Sequence, residues 1–112
     1  MVGGKKTRVV LVTCGSLKKS RKIARGVVEK KLAACVNIGT AAMESVYSWK
    51  GKVETANEFL LIMKTAAPRL SELEKKVKRL HSYDVPEFVV LEVAAGSKDY
   101  LRWLEQSVQR KR

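Results

Sequence analysis

Three side chains of this sequence are the natural candidates for metal binding. His81 is the only histidine, and Cys14 and Cys35 are the only cysteines. Imidazole is a good ligand for copper and thiolate favours Cu(I), so these residues are candidate copper ligands. Neither cysteine has a CxxC partner, which argues against a structural zinc site. The alternative is that both cysteines are buried free thiols and that His81 ends a helix, where the helix dipole favours it.

A catalytic set is not recognisable among the same residues. Beyond the presence of both residue types, nothing in the sequence resembles a Cys/His nucleophile pair. Cys35 lies where the first predicted helix leads into the hairpin. It is interpreted either as a ligand or redox thiol, or as a small buried hydrophobic residue. We therefore expect no catalytic residues and no enzymatic activity.

Positive charge is the second chemical feature of the chain. The net charge is +12 and the pI is about 10.0. A basic cluster in the first predicted helix forms a candidate polyanion patch that consists of Lys18, Lys19, Arg21, Lys22 and Arg25. Such a patch predicts weak, non-specific nucleic-acid binding; the alternative is a solvated helix face. Aromatic residues make up only 6% of the chain and no RNP-like stretch occurs, so base recognition is not expected.

Hydrophobic periodicity predicts the elements that position these side chains. The order is strand, helix, two strands of a long hairpin, helix, strand and a final helix. This is the ferredoxin-like βαββαβ pattern of an α+β fold, with a long β2–β3 hairpin and a C-terminal helix. Gly39 predicts a bulge or bend in the first hairpin strand. The predicted bounds are 8–13, 17–32, 34–49, 53–64, a helix that starts at Pro68, 87–93 and a helix after Ser97.

The chain is expected to form a single domain, 1–112, in which 1–7 and 109–112 are flexible basic tails. No apolar run approaches the roughly 20 residues needed to cross a bilayer. The apolar run at 9–12 is shorter than the signal-peptide core of about 7–15 residues. We therefore expect a cytoplasmic protein without a membrane partner.

Three predicted strands are apolar on both faces, which predicts self-association. The runs at 9–12, 59–63 and 88–91 show no alternation of apolar and polar residues. In this fold the helices are expected to cover one face of the sheet only, and a sheet with one wet face normally alternates. A large uncovered apolar face is unfavourable in water. The same face of other subunits is the expected cover.

Five segments, spaced along the chain between about Arg8 and Val108, carry a family pattern. They are LAACVN at 32–37, YSWKGK at 47–52, the strand 58–65, HSYDVPE at 81–87, and Gly96 with DYLRW at 99–103. Together they resemble the CutA family of divalent-cation-tolerance proteins. The resemblance implies a ferredoxin-like subunit, a homotrimer in which long hairpins pair between subunits, and a likeness to the architecture of PII-type signalling proteins.

The resemblance also implies two sites. In metal-binding relatives the position of His81 is a proposed copper ligand, next to a second histidine and opposite a first-strand cysteine, which here look like Leu80 and Val12. Cys14 lies two residues past Val12 on the same sheet face and could replace that thiolate. The second site is a cleft between subunits for a small anionic or metal-bearing ligand, lined by Trp49, Glu58, Lys64, Tyr83 and Glu87. The alternative is that Trp49 packs the hairpin and that Lys64 pairs with Glu58 or Glu87 across strands.

The sequence thus predicts a trimeric cytosolic protein that binds metal or a small ligand and acts in divalent-cation, especially copper, tolerance. Copper or another divalent cation is the expected cofactor, and none is obligatory. The alternative is a structural or interaction trimer whose basic surface binds polyanions or an acidic partner protein.

Overall fold

The computed structural model describes residues 1–110, and the strand order confirms the ferredoxin-like α+β prediction. One antiparallel sheet has the order β2-β4-β1-β5, and β3 pairs with the first half of β4, residues 52–58. The elements are β1 (Val2–Cys14), α1 (Leu17–Glu29), β2 (Cys35–Ile38), β3 (Met43–Trp49), β4 (Lys52–Ala66), a 3-10 turn (Ala67–Arg69), α2 (Leu70–Leu80), β5 (Val89–Gly96) and α3 (Lys98–Ser107).

The first helix begins where the sequence predicts and ends earlier. Ser16 caps α1, and its Oγ accepts the Lys19 N–H at 3.1 Å, which satisfies one of the free donors of the first turn. The predicted end at residue 32 is wrong because Lys31 takes a left-handed conformation, with φ of 58°. The N–H groups of Leu32 and Ala33 then both turn back to the Val27 carbonyl, which closes the helix.

The hairpin strand that was predicted as 34–49 is divided into β2 and β3. Ile38 pairs with Leu61 and Met43 pairs with Glu58, so four residues on one strand face two on β4. This is the bulge that Gly39 predicts. The tip is a two-residue turn in which Lys50 and Gly51 both have positive φ, 51° and 78°, as a type I′ turn requires.

The hydrophobic core lies between the sheet and the helices α1 and α2. The inward side chains of β1 and β4 pack against one stripe of each helix and are almost fully excluded from solvent. These residues are Val10, Val12, Cys14, Leu61 and Met63 on the strands and Ile23, Val27, Leu73 and Val77 on the helices.

The opposite face of the sheet is covered at one end only. Thr7 Oγ1 donates to Glu105 Oε2 at 3.1 Å, so α3 packs over the start of β1 on this face. The expectation that helices cover a single face is therefore wrong at this end, because the final helix folds back onto the sheet. Further along, Val89 and Leu91 remain 45% and 43% exposed. An apolar surface of this kind is left open within one chain.

The segment expected as a flexible N-terminal tail is part of the sheet. Val2 pairs with Gly96 and Gly3 with Ala95, so β1 starts at residue 2 and the prediction for 1–7 is wrong. The physical reason is Gly4: a Cβ there would lie 2.4 Å from the Val93 carbonyl oxygen, so only glycine allows the two strands to approach. In the predicted C-terminal tail, Arg110 pairs with Glu72, and residues 111–112 lie outside the described residues. No helix within residues 1–110 is long and apolar enough to cross a membrane.

Candidate functional site

His81 lies directly after α2 and uses both of its ring nitrogens. The Tyr83 N–H donates to Nδ1 at 3.0 Å, and Nε2 lies 2.7 Å from the carbonyl oxygen of Thr13. Because Nδ1 accepts a hydrogen bond, the ring proton is on Nε2 and is donated to Thr13. The side chain therefore joins the end of α2 to the end of β1, and it is only 9% exposed.

Cys14 is the second predicted ligand, and the structure brings it to His81. Its Sγ lies 3.7 Å from His81 Nε2, and the side chain has no solvent-exposed surface. Burial raises the pKa of the Cys14 thiol above its ordinary value of 9.0, and a hydrogen bond with Ser20 opposes this effect. At neutral pH the group is a thiol, so a metal ion would have to displace its proton.

Cys35 lies in a different part of the sheet. Across β4, Cys14 faces Phe59 and Cys35 faces Lys64, so the two cysteines are five β4 residues apart, or roughly 17 Å. Cys35 is half-buried, and its Sγ lies 4.0 Å from Asn37 Oδ1. The three predicted ligands thus do not converge within one chain. Residues 1–110 contain no group of three His, Cys, Asp or Glu side chains placed to hold one ion.

Tyr83 and Glu58 form the polar border of the Cys14–His81 pair. The Tyr83 hydroxyl lies 3.2 Å from the point that a Cβ on Gly15 would occupy, and the Tyr83 and His81 ring centroids are 4.6 Å apart. The pKa of Tyr83 is raised to about 12, first by burial and then by Glu58, which acts both as a hydrogen-bond acceptor and as a negative charge.

Glu87 belongs to the same electrostatic group. Its pKa is raised above its ordinary value, first by desolvation and second by the negative charge of Glu58. Two carboxylates that repel each other in this way favour a shared cation or a shared proton. Three of the five predicted cleft residues, Tyr83, Glu58 and Glu87, are therefore neighbours within one chain.

Trp49 and Lys64 lie away from these three. Trp49 faces Lys52 at the hairpin tip, and Glu58 is six β4 residues from both Lys52 and Lys64, or roughly 20 Å in each direction. Lys64 Nζ donates to Asn37 Oδ1 at 2.6 Å and lies 6.0 Å from the Tyr100 ring centroid. The alternative ion pair with Glu58 or Glu87 does not occur among residues 1–110. A cleft that contains all five residues needs more than one chain, as the sequence interpretation assumed, and stays a prediction.

The candidate polyanion patch lies on α1. Four of its members are exposed, whereas Lys19 is half-buried beside the Ser16 cap.

Sequence reasoning missed the basic side chains of α2 that face α1, because a helix–helix contact has no local sequence signal. It also missed the partners of His81, since Thr13 and Tyr83 contribute backbone atoms. Ser20 had a weak signal as the one polar residue in the buried stripe of α1.

The chain is similar in sequence and in structure to known proteins of one family. The family model described as CutA1 divalent ion tolerance protein matches residues 8–107. The chain is 46% identical over 101 residues to "Protein CutA, chloroplastic" from Arabidopsis thaliana, covering 90% of this chain and 55% of that protein. It is 44% identical over 99 residues to the divalent-cation tolerance protein CutA from Thermus thermophilus, covering 88% and 95% respectively. The crystal structure of CutA1 from Oryza sativa superimposes with a TM-score of 0.90 at 42% identity, covering 95% of this chain and 96% of that one.

Proposed function

The chain belongs to the CutA1 divalent ion tolerance family, and from that premise we propose that it protects against copper and other divalent cations by binding them. Relatives that carry the name divalent-cation tolerance protein support the role in cation tolerance. The proposal is for binding without catalysis, by a cytoplasmic homotrimer. The observation that carries the metal part is the distance of 3.7 Å between Cys14 Sγ and His81 Nε2.

The Cys14–His81 pair fits Cu(I) better than zinc. With bond lengths like those of zinc, about 2.3 Å to sulfur and about 2.0 Å to imidazole nitrogen, one ion joined to both at the roughly 120° of a three-coordinate site would hold its donors about 3.7 Å apart. The third ligand would have to come from outside the pair. One thiolate and one imidazole form a soft donor set, which suits Cu(I). A structural zinc site needs four ligands, and residues 1–110 bring no third side chain of the required kind to this pair.

Glu58, Tyr83 and Glu87 would serve harder cations or a small ligand. Oxygen ligands such as these suit hard divalent ions, for example Mg²⁺ and Mn²⁺. Neighbouring subunits would have to supply Trp49 and Lys64, which are too far from Glu58 within one chain. In this proposal the small-ligand site exists only in the assembled protein.

The open sheet face supports the trimer. Val89 and Leu91 are apolar, exposed and on the same face, while the hairpin tip exposes Val46 at 62% and Val53 at 78%. Exposed apolar side chains on a sheet face and on a projecting hairpin are typical of an interface between subunits. The cytoplasmic location belongs to the proposal, and the plant relative is named as a chloroplastic protein.

Competition with a chromogenic Cu(I) chelator under anaerobic conditions tests the proposal. We expect Cys14→Ser and His81→Ala each to weaken Cu(I) binding by about 10-fold or more, since even outer-shell changes cost that much at metal sites. Cys35→Ser is the matched control and should bind as the unaltered chain does. Equal affinities for all four proteins would remove the Cys14–His81 pair as the site.

A further inference from the structure

The basic residues of α1 and α2 meet in an open groove between the two helices. One depression of about 360 Å³ lies next to a second of about 290 Å³, and Lys76 lines both. The helices approach closely at Gly26, where a Cβ would lie 3.0 Å from Leu80 Cδ1 and 3.9 Å from Lys76 Cε. A glycine at this crossing therefore brings the two basic rows together.

The groove carries a strong excess of positive charge. Its basic lining residues are Arg21, Lys22, Arg25, Lys30, Arg69, Lys75, Lys76 and Arg79. The acidic lining residues are Glu29 and Glu72, and Glu72 is already paired with Arg69 at 3.0 Å and with Arg110. Within residues 1–110 the other groove cations form no ion pair, so their charge is available to a partner.

The fold does not require this clustering of basic residues between α1 and α2. Like charges that face each other across a helix pair repel, and net charge far from zero destabilises a compact chain. Only part of the patch expected from the sequence takes part: Arg21, Lys22 and Arg25 line the groove, whereas Lys18 and Lys19 do not. The arrangement is therefore a two-helix surface, not a single solvated helix face.

The residues that line the groove favour a stiff polyanion over single-stranded nucleic acid, a membrane or an acidic peptide. Among the described residues 1–110 no aromatic side chain lines the groove, so unpaired bases would find no stacking partner there. Its apolar lining residues, Leu32 and Leu80, are buried and half-buried and cannot insert into a bilayer as an interfacial helix does. An acidic peptide must lose conformational freedom on binding, whereas duplex DNA presents one charge per about 1.7 Å of a stiff axis.

We propose that the α1–α2 groove binds the phosphate backbone of duplex nucleic acid without reading its sequence. Arginine forks contact phosphate oxygens in pairs and lysines contribute point charges. The groove lies on the helix-covered side of the sheet, opposite the open apolar face, so it is separate from the expected subunit interface. Neither Cys14 nor His81 lines it, so its residues are distinct from those of the proposed metal site.

Fluorescence anisotropy with a labelled duplex of about 20 base pairs tests the groove. The groove variant is Arg25→Glu, Lys76→Glu and Arg79→Glu. The control is Lys5→Glu, Lys6→Glu and Lys98→Glu, which changes the net charge equally at exposed positions outside the groove. We expect the groove variant to bind about 10-fold or more weakly at low salt, and its log–log salt slope to become shallower by about 2–3, because each phosphate contact contributes about 0.9.

The control should lose less than about 3-fold, since it alters only the long-range field. Circular dichroism and sedimentation establish that both variants keep the fold and assembly of the unaltered chain. Equal losses in the two variants would overturn the proposal, because net charge alone would then explain binding. Polyglutamate or phosphatidylserine vesicles that displace the duplex at equal charge concentration would also overturn it, in favour of an acidic protein or a membrane.

Discussion

The backbone N–H of Tyr83 donates to His81 Nδ1 at 3.0 Å, and this bond fixes which ring nitrogen carries the proton. A metal ion on Nε2 would displace the proton that is now donated to Thr13. The imidazole could then stay neutral only if Nδ1 took up a proton, which would end its role as acceptor for Tyr83. If His81 binds a metal as proposed, binding would therefore be coupled to the loop that follows α2, and through Tyr83 to Glu58.

The raised pKa of Tyr83 should make the free energy of unfolding fall as pH rises in the alkaline range. Its pKa is about 12 in the folded chain and 10.0 as the ordinary value, so the unfolded chain loses this proton first. The stabilising contribution is complete below pH 10 and is lost as pH rises towards 12. We expect Tyr83→Phe to flatten the fall of Tm across this interval, as measured by differential scanning calorimetry.

Tyr100→Phe is the control for that measurement, because Tyr100 is 42% exposed on α3 and is not among the groups that raise the pKa of Tyr83. It should reproduce the pH profile of the unaltered chain. A profile for Tyr83→Phe as steep as that of the control would contradict the assignment.

The close contact at Gly4 tests whether the N-terminal segment belongs to the sheet. Gly4→Ala places a Cβ 2.4 Å from the Val93 carbonyl oxygen, whereas Gly3→Ala meets only Ala94 O at 3.8 Å, an ordinary contact. We expect Gly4→Ala to lower the free energy of unfolding by about 1–3 kcal/mol, as overpacking does. Gly3→Ala should change it by less than about 0.5 kcal/mol, as harmless surface changes do. Urea denaturation measures both, and two neutral substitutions would indicate a free tail.

Local signals allowed the sequence to predict much of the fold. Ser16 follows a glycine and precedes an apolar helical stripe, and it caps α1 as expected. Lys50–Gly51 separates two β-rich runs and forms the hairpin turn. Both depend on short-range chemistry that the neighbouring residues fully determine.

The features that sequence reasoning missed depend on contacts between distant segments. Gly3 and Gly4 weaken a strand prediction, because glycine has no side chain to pack, yet Gly4 is required by the approach of Val93. The same holds for Gly26: its lack of a side chain matters only because α1 and α2 cross closely at this residue. Of the candidate site, the inward parity of β1 puts Cys14 on the face where the structure places its Sγ 3.7 Å from His81 Nε2, and the role of the two as metal ligands stays a prediction. Glu58 and Lys64 both lie on β4, six residues apart, so the extended strand itself keeps them roughly 20 Å from each other.

The open sheet face leads to the prediction on assembly. Sedimentation at micromolar concentration should give three times the monomer mass of 12.5 kDa, with an interface above about 2,000 Å² in total, as obligate assemblies have. Leu91→Lys places a charge on the apolar face and should dissociate the trimer, because an unpaired charge in an interface is unfavourable. Val28→Lys is the matched control: Val28 is 39% exposed on α1, on the other side of the sheet, and this variant should remain trimeric. A monomeric unaltered chain, or a Leu91→Lys protein that assembles as well as the control, would show that the exposed face is not the subunit interface.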